Sequence, residues 1–225
     1  MSTQRKTSAK GWAACLVAIF AGMALALLQN KLTPVMAVIM DSFGIDMATA
    51  GMLSTIFTVM GIVMALPAAG MLKRLGPRTS GLIAFAGAIA GSLLGIATEN
   101  VAVLMVSRVI EGVGIGIIAV LAPSVISMWF PPEKRGLPMG IWGSWMMVSQ
   151  TVLFFSGNAI TDAWGWRGMW VLGIVVCVVA AALFAIFVKS PSPEESFADI
   201  EAEDASVMDG LRSAPQWILA GVGLC

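Results

Sequence analysis

LMVSRVIEGVGIG, residues 104–116, sets an arginine and a glutamate three positions apart inside a run that is otherwise free of charge from Val101 to Pro132. On insertion scales a charged side chain at the centre of a membrane helix costs roughly 2.5–3.5 kcal/mol. Arg108 lies near the start of the run, where a long side chain reaches partway out. Glu111 lies one turn deeper, about 15 Å in at 1.5 Å per residue. A spacing of three puts both groups on one helix face, within reach of each other. Such a pair must therefore turn towards protein or a water-filled cavity rather than lipid.

The rest of the chain supports a membrane setting. Of its 225 residues, 58% are hydrophobic and 12% charged, and the mean hydropathy is +0.90. A soluble domain averages roughly 25% charged. Uncharged runs of spanning length cover 11–28 (extending to Lys31), 47–72, 79–98, 101–132 with its one charged pair, 136–161 and 168–188. A polar segment at 189–212 follows, and a further apolar run at 213–225 is too short to cross. The expected architecture is an all-α integral membrane protein with six transmembrane helices and the start of a seventh. On this reading residues 1–10 form a cytoplasmic N-terminus, 11–188 the six-helix bundle, 189–212 an acidic cytoplasmic linker, and 213–225 the truncated start of helix seven. A natural short chain ending in an interfacial stub is the alternative.

Lysine and arginine set the orientation. With the N-terminus inside, the inner loops collect Arg5, Lys6, Lys10, Lys73, Arg74, Arg78, Lys134, Arg135, Lys189 and Arg212, leaving Lys31, Arg108 and Arg167 for the membrane and the outside. The expected location is the plasma (inner) membrane, multi-pass, with the N-terminus cytoplasmic. The first run exceeds the 7–15 apolar residues typical of a cleaved signal, so it reads as a retained span.

Several functions are disfavoured by composition. The chain has no histidine, which removes the commonest general base and metal ligand. Its aspartates lie in or beside loops, so the pair that an intramembrane aspartyl protease needs is missing. Cys15, Cys177 and Cys225 stand alone in apolar runs and form neither a disulfide framework nor a metal site. The expectation is a protein that is not an enzyme and holds no cofactor. Net charge is zero, so nothing points to nucleic acid.

Polar residues within the spans mark candidate binding positions. Gln29, Asn30 and Lys31 interrupt the first apolar stretch, either as an outer rim where the helix ends or as the lining of a cavity if it continues past Pro34. Gln150 and Asn158 lie in the fifth run. Gly87, Gly91 and Gly95 recur on one helix face and admit a close neighbour, as do Gly112, Gly114 and Gly116. Pro67 and Pro123 are expected to kink or locally weaken their helices.

LMVSRVIEGVGIG resembles the fourth-helix motif of the major facilitator superfamily, which Leu104, Arg108, Glu111, Gly112 and Gly114 fit. WFPPEKRGLPMGIW, residues 129–142, is similar to that family's loop between helices four and five, with Arg135 and Gly136 in place. WGWRGMW, 164–170, is similar to its entry to helix six. AGMLKRLGPRTSG, 69–81, matches its gating loop in part: Arg74, Gly76 and Arg78 fit, while Lys73 stands where the family has aspartate. The helix-five signature of drug antiporters is absent from residues 140–157.

The resemblance implies the N-terminal half of a twelve-helix bundle built from inverted three-helix repeats. It implies a secondary active transporter, a symporter or antiporter moving a small solute by alternating access. Candidate substrate or coupling residues are Asn30, Lys31, Arg108, Glu111 and Gln150; the candidate gating loop is Lys73, Arg74, Gly76 and Arg78. Two cations facing the cavity lean towards an organic or inorganic anion, with a neutral or zwitterionic solute as the near alternative; GMLSTIF, 51–57, and ALPAAGMLKRLG, 65–76, resemble the cyanate and nitroimidazole porters. Implied partners are a small-molecule substrate, a proton or sodium ion, the lipid bilayer and the missing C-terminal half-bundle. A non-transporting component or remnant, or a multidrug efflux porter when complete, are the alternatives.

Overall fold

A computed structural model of the chain describes residues 9–189, which are almost entirely helical. Residues 1–8, the acidic segment beyond Lys189 and the run 213–225 lie outside the described residues. Helix α1 is Ala9–Asn30. Its inward side is made of small residues: Ala14, Ala18, Ala21 and Ala24 are at most 1% exposed, which lets neighbouring backbones come close where hydrocarbon provides no hydrophobic drive. The helix stops at Asn30 for a local reason. Pro34, four residues on, has no N–H to offer the Asn30 carbonyl, and its ring collides with that carbonyl. A 3₁₀ turn, Thr33–Val35, leads into α2, Met36–Phe43.

Helix α3 is Met47–Ala97. Asp46 caps its start, accepting from the Thr49 backbone N–H at 2.9 Å. Fifty-one continuous residues would extend about 75 Å, more than twice a hydrocarbon core of about 30 Å. The run is broken at Gly76, whose φ of 75° and ψ of 169° belong to a region only glycine occupies without strain. Pro77 then starts the next helical segment, where a missing N–H is harmless. Helix α4, Val101–Trp129, is capped by Asn100, whose side chain accepts from the Ala102 N–H at 2.8 Å. A 3₁₀ turn, Pro132–Lys134, precedes α5, Gly136–Gly143. Helix α6, Trp145–Phe187, carries a second such break at Gly165, with φ 64° and ψ −170°.

The described residues thus contain four helical runs long and apolar enough to cross a membrane: Ala9–Phe43, Met47–Ala97, Val101–Trp129 and Gly136–Phe187. Helical structure passes through Pro67 and Pro123, and the non-helical backbone of α3 is at Gly76 instead. The proline that ends a helix is Pro34, in the first run.

Helix α4 is the hub. A Cβ on Gly112 would meet the Phe57 carbonyl at 2.5 Å, and one on Gly114 the Ala84 carbonyl at 2.7 Å. So α4 lies in backbone contact with α3 on both sides of the Gly76 break. Two apolar clusters fill the interior. One holds Leu28, Phe57, Phe85, Ile118 and Phe184; the other holds Leu32, Leu53, Leu104, Met169 and Trp170.

Candidate functional site

Where α1 ends, four carbonyls lose their intrahelical donors. Arg108 of α4 supplies replacements. Its Nη1 donates to the Leu28 carbonyl at 3.0 Å and its Nη2 to the Gln29 carbonyl at 3.1 Å. The negative end of the α1 dipole favours a cation here. Nε of the same guanidinium donates to the Leu53 carbonyl of α3 at 3.2 Å, and the Phe57 ring lies 4.3 Å from its Cζ. The snorkelling open to Arg108 from its place in the run does not occur: the side chain is 0% exposed, and its Nε, Nη1 and Nη2 all donate to protein.

Glu111 is gripped from both sides. Nη1 of Arg108 donates to Oε2, while Lys31 Nζ donates to Oε1 at 2.6 Å. The Ser92 hydroxyl also donates to Oε1, at 2.5 Å, and the lysine reaches Ser92 Oγ at 3.3 Å. The Trp170 ring centroid lies 4.2 Å from Lys31 Nζ. Lys31, Arg108 and Glu111 are all 0% exposed. Two cations and one anion leave a formal charge of +1, offset by three carbonyls, one helix terminus and two aromatic faces. The arrangement links all four membrane-length runs at one level: Lys31 beyond α1, Ser92 and Leu53 on α3, Arg108 and Glu111 on α4, and Trp170 on α6.

Of the two readings of Gln29-Asn30-Lys31, each holds in part: the helix ends at Asn30, as the rim reading has it, and does not run on past Pro34, but Lys31 is fully buried with its amine on Glu111. Asn30 points elsewhere. Its Nδ2 donates back to the Ala26 carbonyl at 2.9 Å, and its Oδ1 receives Gln150 Nε2 at 3.5 Å. These two amides lie in a cavity of about 810 Å³ with Thr33, Pro34, Thr151, Leu153, Phe154, Phe155 and Asn158. Phe154 and Phe155 are 81% and 79% exposed. Neither Lys31 nor Arg108 lines that cavity.

The loop residues lie apart. Lys73, Arg74 and Arg78 are exposed around the Gly76 break. Lys73 also lines a smaller cavity of about 370 Å³ between α3 and α4, with Pro123, Ser124 and Ser127. Arg135, beyond α4, caps that helix by donating to the carbonyls of Phe130 and Ser127, each at 2.9 Å. Sequence reasoning missed Ser92 and Trp170. Ser92 had a signal, being the one hydroxyl in residues 81–97; Trp170 had none beyond its place in WGWRGMW.

Apolar helices of spanning length, stitched together by a fully buried ion cluster beside a polar groove, define a polytopic membrane protein. Its family follows from the whole sequence. The profile of the Major Facilitator Superfamily matches residues 14–224, and the chain belongs to that family of membrane transporters. It is 31% identical over 194 residues to the uncharacterized MFS-type transporter YhcA of Bacillus subtilis, covering 84% of this chain and 36% of that protein. It is 26% identical over 189 residues to the galactose-proton symporter of Escherichia coli, covering 84% and 40%, and 26% identical over 170 residues to the quinolone resistance protein NorB of Staphylococcus aureus, covering 75% and 35%. The chain thus spans well under half the length of these relatives. Among solved structures, the proton:xylose symporter XylE matches with a TM-score of 0.73 at 17% identity, over 83% of this chain and 46% of that one. The human organic anion transporter MFSD10 matches with a TM-score of 0.67 at 16% identity, over 83% and 50%. Both likenesses concern the fold.

Proposed function

We propose that this chain forms the N-terminal half of a secondary active transporter that moves a small polar solute by alternating access. The breaks at Gly76 and Gly165 would divide the four long runs into six spans, arranged as two inverted three-helix repeats, with the N-terminus in the cytoplasm and the bundle in the inner membrane. A C-terminal half-bundle would supply the facing wall of the groove.

The single observation that carries the reading is the groove itself: Asn30, Thr33, Gln150, Thr151 and Asn158 gathered in about 810 Å³ with Pro34, Leu153, Phe154 and Phe155. Amides and hydroxyls in a lipid-embedded protein are expected where a polar solute or water passes. This lining offers neutral donors and acceptors. Lys31 and Arg108 are held by Glu111 and by backbone carbonyls, so a neutral polar solute fits the groove better than an anion. The galactose-proton symporter among the relatives agrees with such a solute and with proton coupling. The buried +1 cluster favours the anion as the competing reading, and sodium as the coupling ion remains the other arm of the same test.

The test is uptake by the complete transporter in proteoliposomes, with labelled neutral sugars and labelled organic anions offered in parallel under imposed proton or sodium gradients. Uptake of a sugar, lost in Asn30→Ala and Gln150→Ala, is the expected result. Gradient-driven uptake of anions alone, unaffected by either substitution, would overturn the neutral-solute reading. No gradient-driven uptake of any solute by a folded complete protein would overturn the transporter reading.

A further inference from the structure

A second polar cavity lies far from the groove, where the start of α1 meets the ends of α4 and α6. It has about 480 Å³ and is lined by Lys10, Ala13, Trp129, Ile186, Phe187 and Lys189 among others. Among the described residues its lining includes two lysines and no carboxylate. Neither lysine has an ion pair or hydrogen bond among the described residues. Trp129 is 6% exposed, and its indole Nε1 is buried without a hydrogen-bond partner. A buried donor left unpaired costs about 1–3 kcal/mol. Two lysines that meet no counter-charge among the described residues call for an anion.

Position narrows the kind of anion. One membrane-length run begins at Ala9 and another ends at Phe187, so the lysines bracket the edge of the hydrocarbon, where headgroups lie. Ile186 and Phe187 are 61% and 46% exposed at the cavity, giving acyl chains an apolar surface directly below the cations. A soluble phosphate would use the lysines and gain nothing from these two side chains.

We propose that this cavity binds the phosphate of an anionic phospholipid, with Lys10 and Lys189 flanking the headgroup and the chains lying along Ile186 and Phe187. Basic pockets between membrane helices select anionic headgroups in this way. The site is independent of the transport groove, and binding here is measured without reading transport.

The full chain in detergent, titrated with phosphatidylglycerol and with phosphatidylcholine and read by native mass spectrometry, tests the site. The unmodified protein is expected to retain phosphatidylglycerol on the order of tenfold more tightly than phosphatidylcholine. The Lys10→Gln/Lys189→Gln double variant should lose that preference. Ala13→Trp, which fills the cavity and keeps both lysines, should lose it too. Lys73→Gln/Arg74→Gln, removing cations outside the cavity, should keep it. Equal preference in the Lys10/Lys189 variant and the unmodified protein would overturn the proposal, as would equal loss in the Lys73/Arg74 variant. Displacement of the lipid by millimolar inorganic phosphate, with phosphate binding as tightly, would assign the cavity to a soluble ion and overturn the lipid site. Melting curves confirm that each variant is folded.

Discussion

Lys31 Nζ donates to Glu111 Oε1 at 2.6 Å, and neither side chain has any exposed surface. The contact joins the break after α1 to the interior of α4. On its other side the same carboxylate receives Arg108. The cluster therefore has one anion shared by two cations, and its members are not equivalent. Removing Lys31 leaves a neutral pair, whereas removing the charge of Glu111 leaves two cations facing each other without a counter-charge.

That asymmetry predicts an order of stabilities. Stripping one partner from a buried pair costs about 3–5 kcal/mol, and Glu111→Gln should fall at or above that range. Lys31→Met keeps much of the volume and restores neutrality, so it should cost distinctly less. Thermal or denaturant unfolding in detergent measures both. A larger loss for Lys31→Met than for Glu111→Gln would mean that charge balance does not govern the cluster.

Much of this cluster was legible before any coordinates. Arg108 and Glu111 are conspicuous because charge in an apolar run is expensive, and their spacing alone puts them on one face. Lys31 was ambiguous, because a polar triplet at the end of eighteen uncharged residues looks the same whether the helix stops at a rim or inside the protein. What decides the matter is which group fills the space opposite, a contact between residues eighty positions apart. Trp170 and the three carbonyls beneath Arg108 were invisible for the same reason: any apolar residue has a carbonyl, and only the packing shows which are orphaned. At Pro67 and Pro123 helical structure runs through the proline, as neighbouring helices allow, while the Gly76 break needs a backbone region that glycine alone enters freely.

The glycine face of α3 is graded, and the grading is testable. A Cβ on Gly91 would lie 2.8 Å from the Ser107 carbonyl and 2.9 Å from the Glu111 backbone nitrogen, neither of which can swing aside. On Gly87 its nearest neighbour would be the Ile110 carbonyl at 3.7 Å, an ordinary contact. Gly91→Ala should destabilise by about 1–3 kcal/mol through overpacking and disturb Glu111 with it. Gly87→Ala should be near neutral. Equal melting temperatures for the two variants would contradict this packing.

Gly76 carries a conformational prediction rather than a steric one. At φ 75° and ψ 169° an alanine is strained by about 1–3 kcal/mol. Gly70→Ala, at a helical position where a Cβ meets nothing within 4 Å, is the matched control and should be neutral or slightly stabilising by helix propensity. The difference between the two melting temperatures reads the strain. If Gly76→Ala melts with Gly70→Ala, the segment relaxes to an ordinary conformation.

Asp46 offers a pH test outside the membrane. Hydrogen bonding from Thr49, first through its side chain and then through its backbone N–H, holds the Asp46 carboxyl below the usual carboxylate range. A pKa depressed in the folded state means that the ionised form stabilises the fold. That contribution is complete above the unfolded value, near 3.9 for aspartate, and fades as pH falls through the lower folded value. Asp46→Ala removes the cap and the titration together. Its melting temperature should lie below that of the unmodified protein at pH 7, and the gap should narrow as the medium is acidified below about pH 4. Thr49→Ala keeps the backbone N–H and should shift the narrowing towards higher pH. A gap that is the same at pH 7 and pH 3 would show that the charge on Asp46 contributes nothing to capping α3.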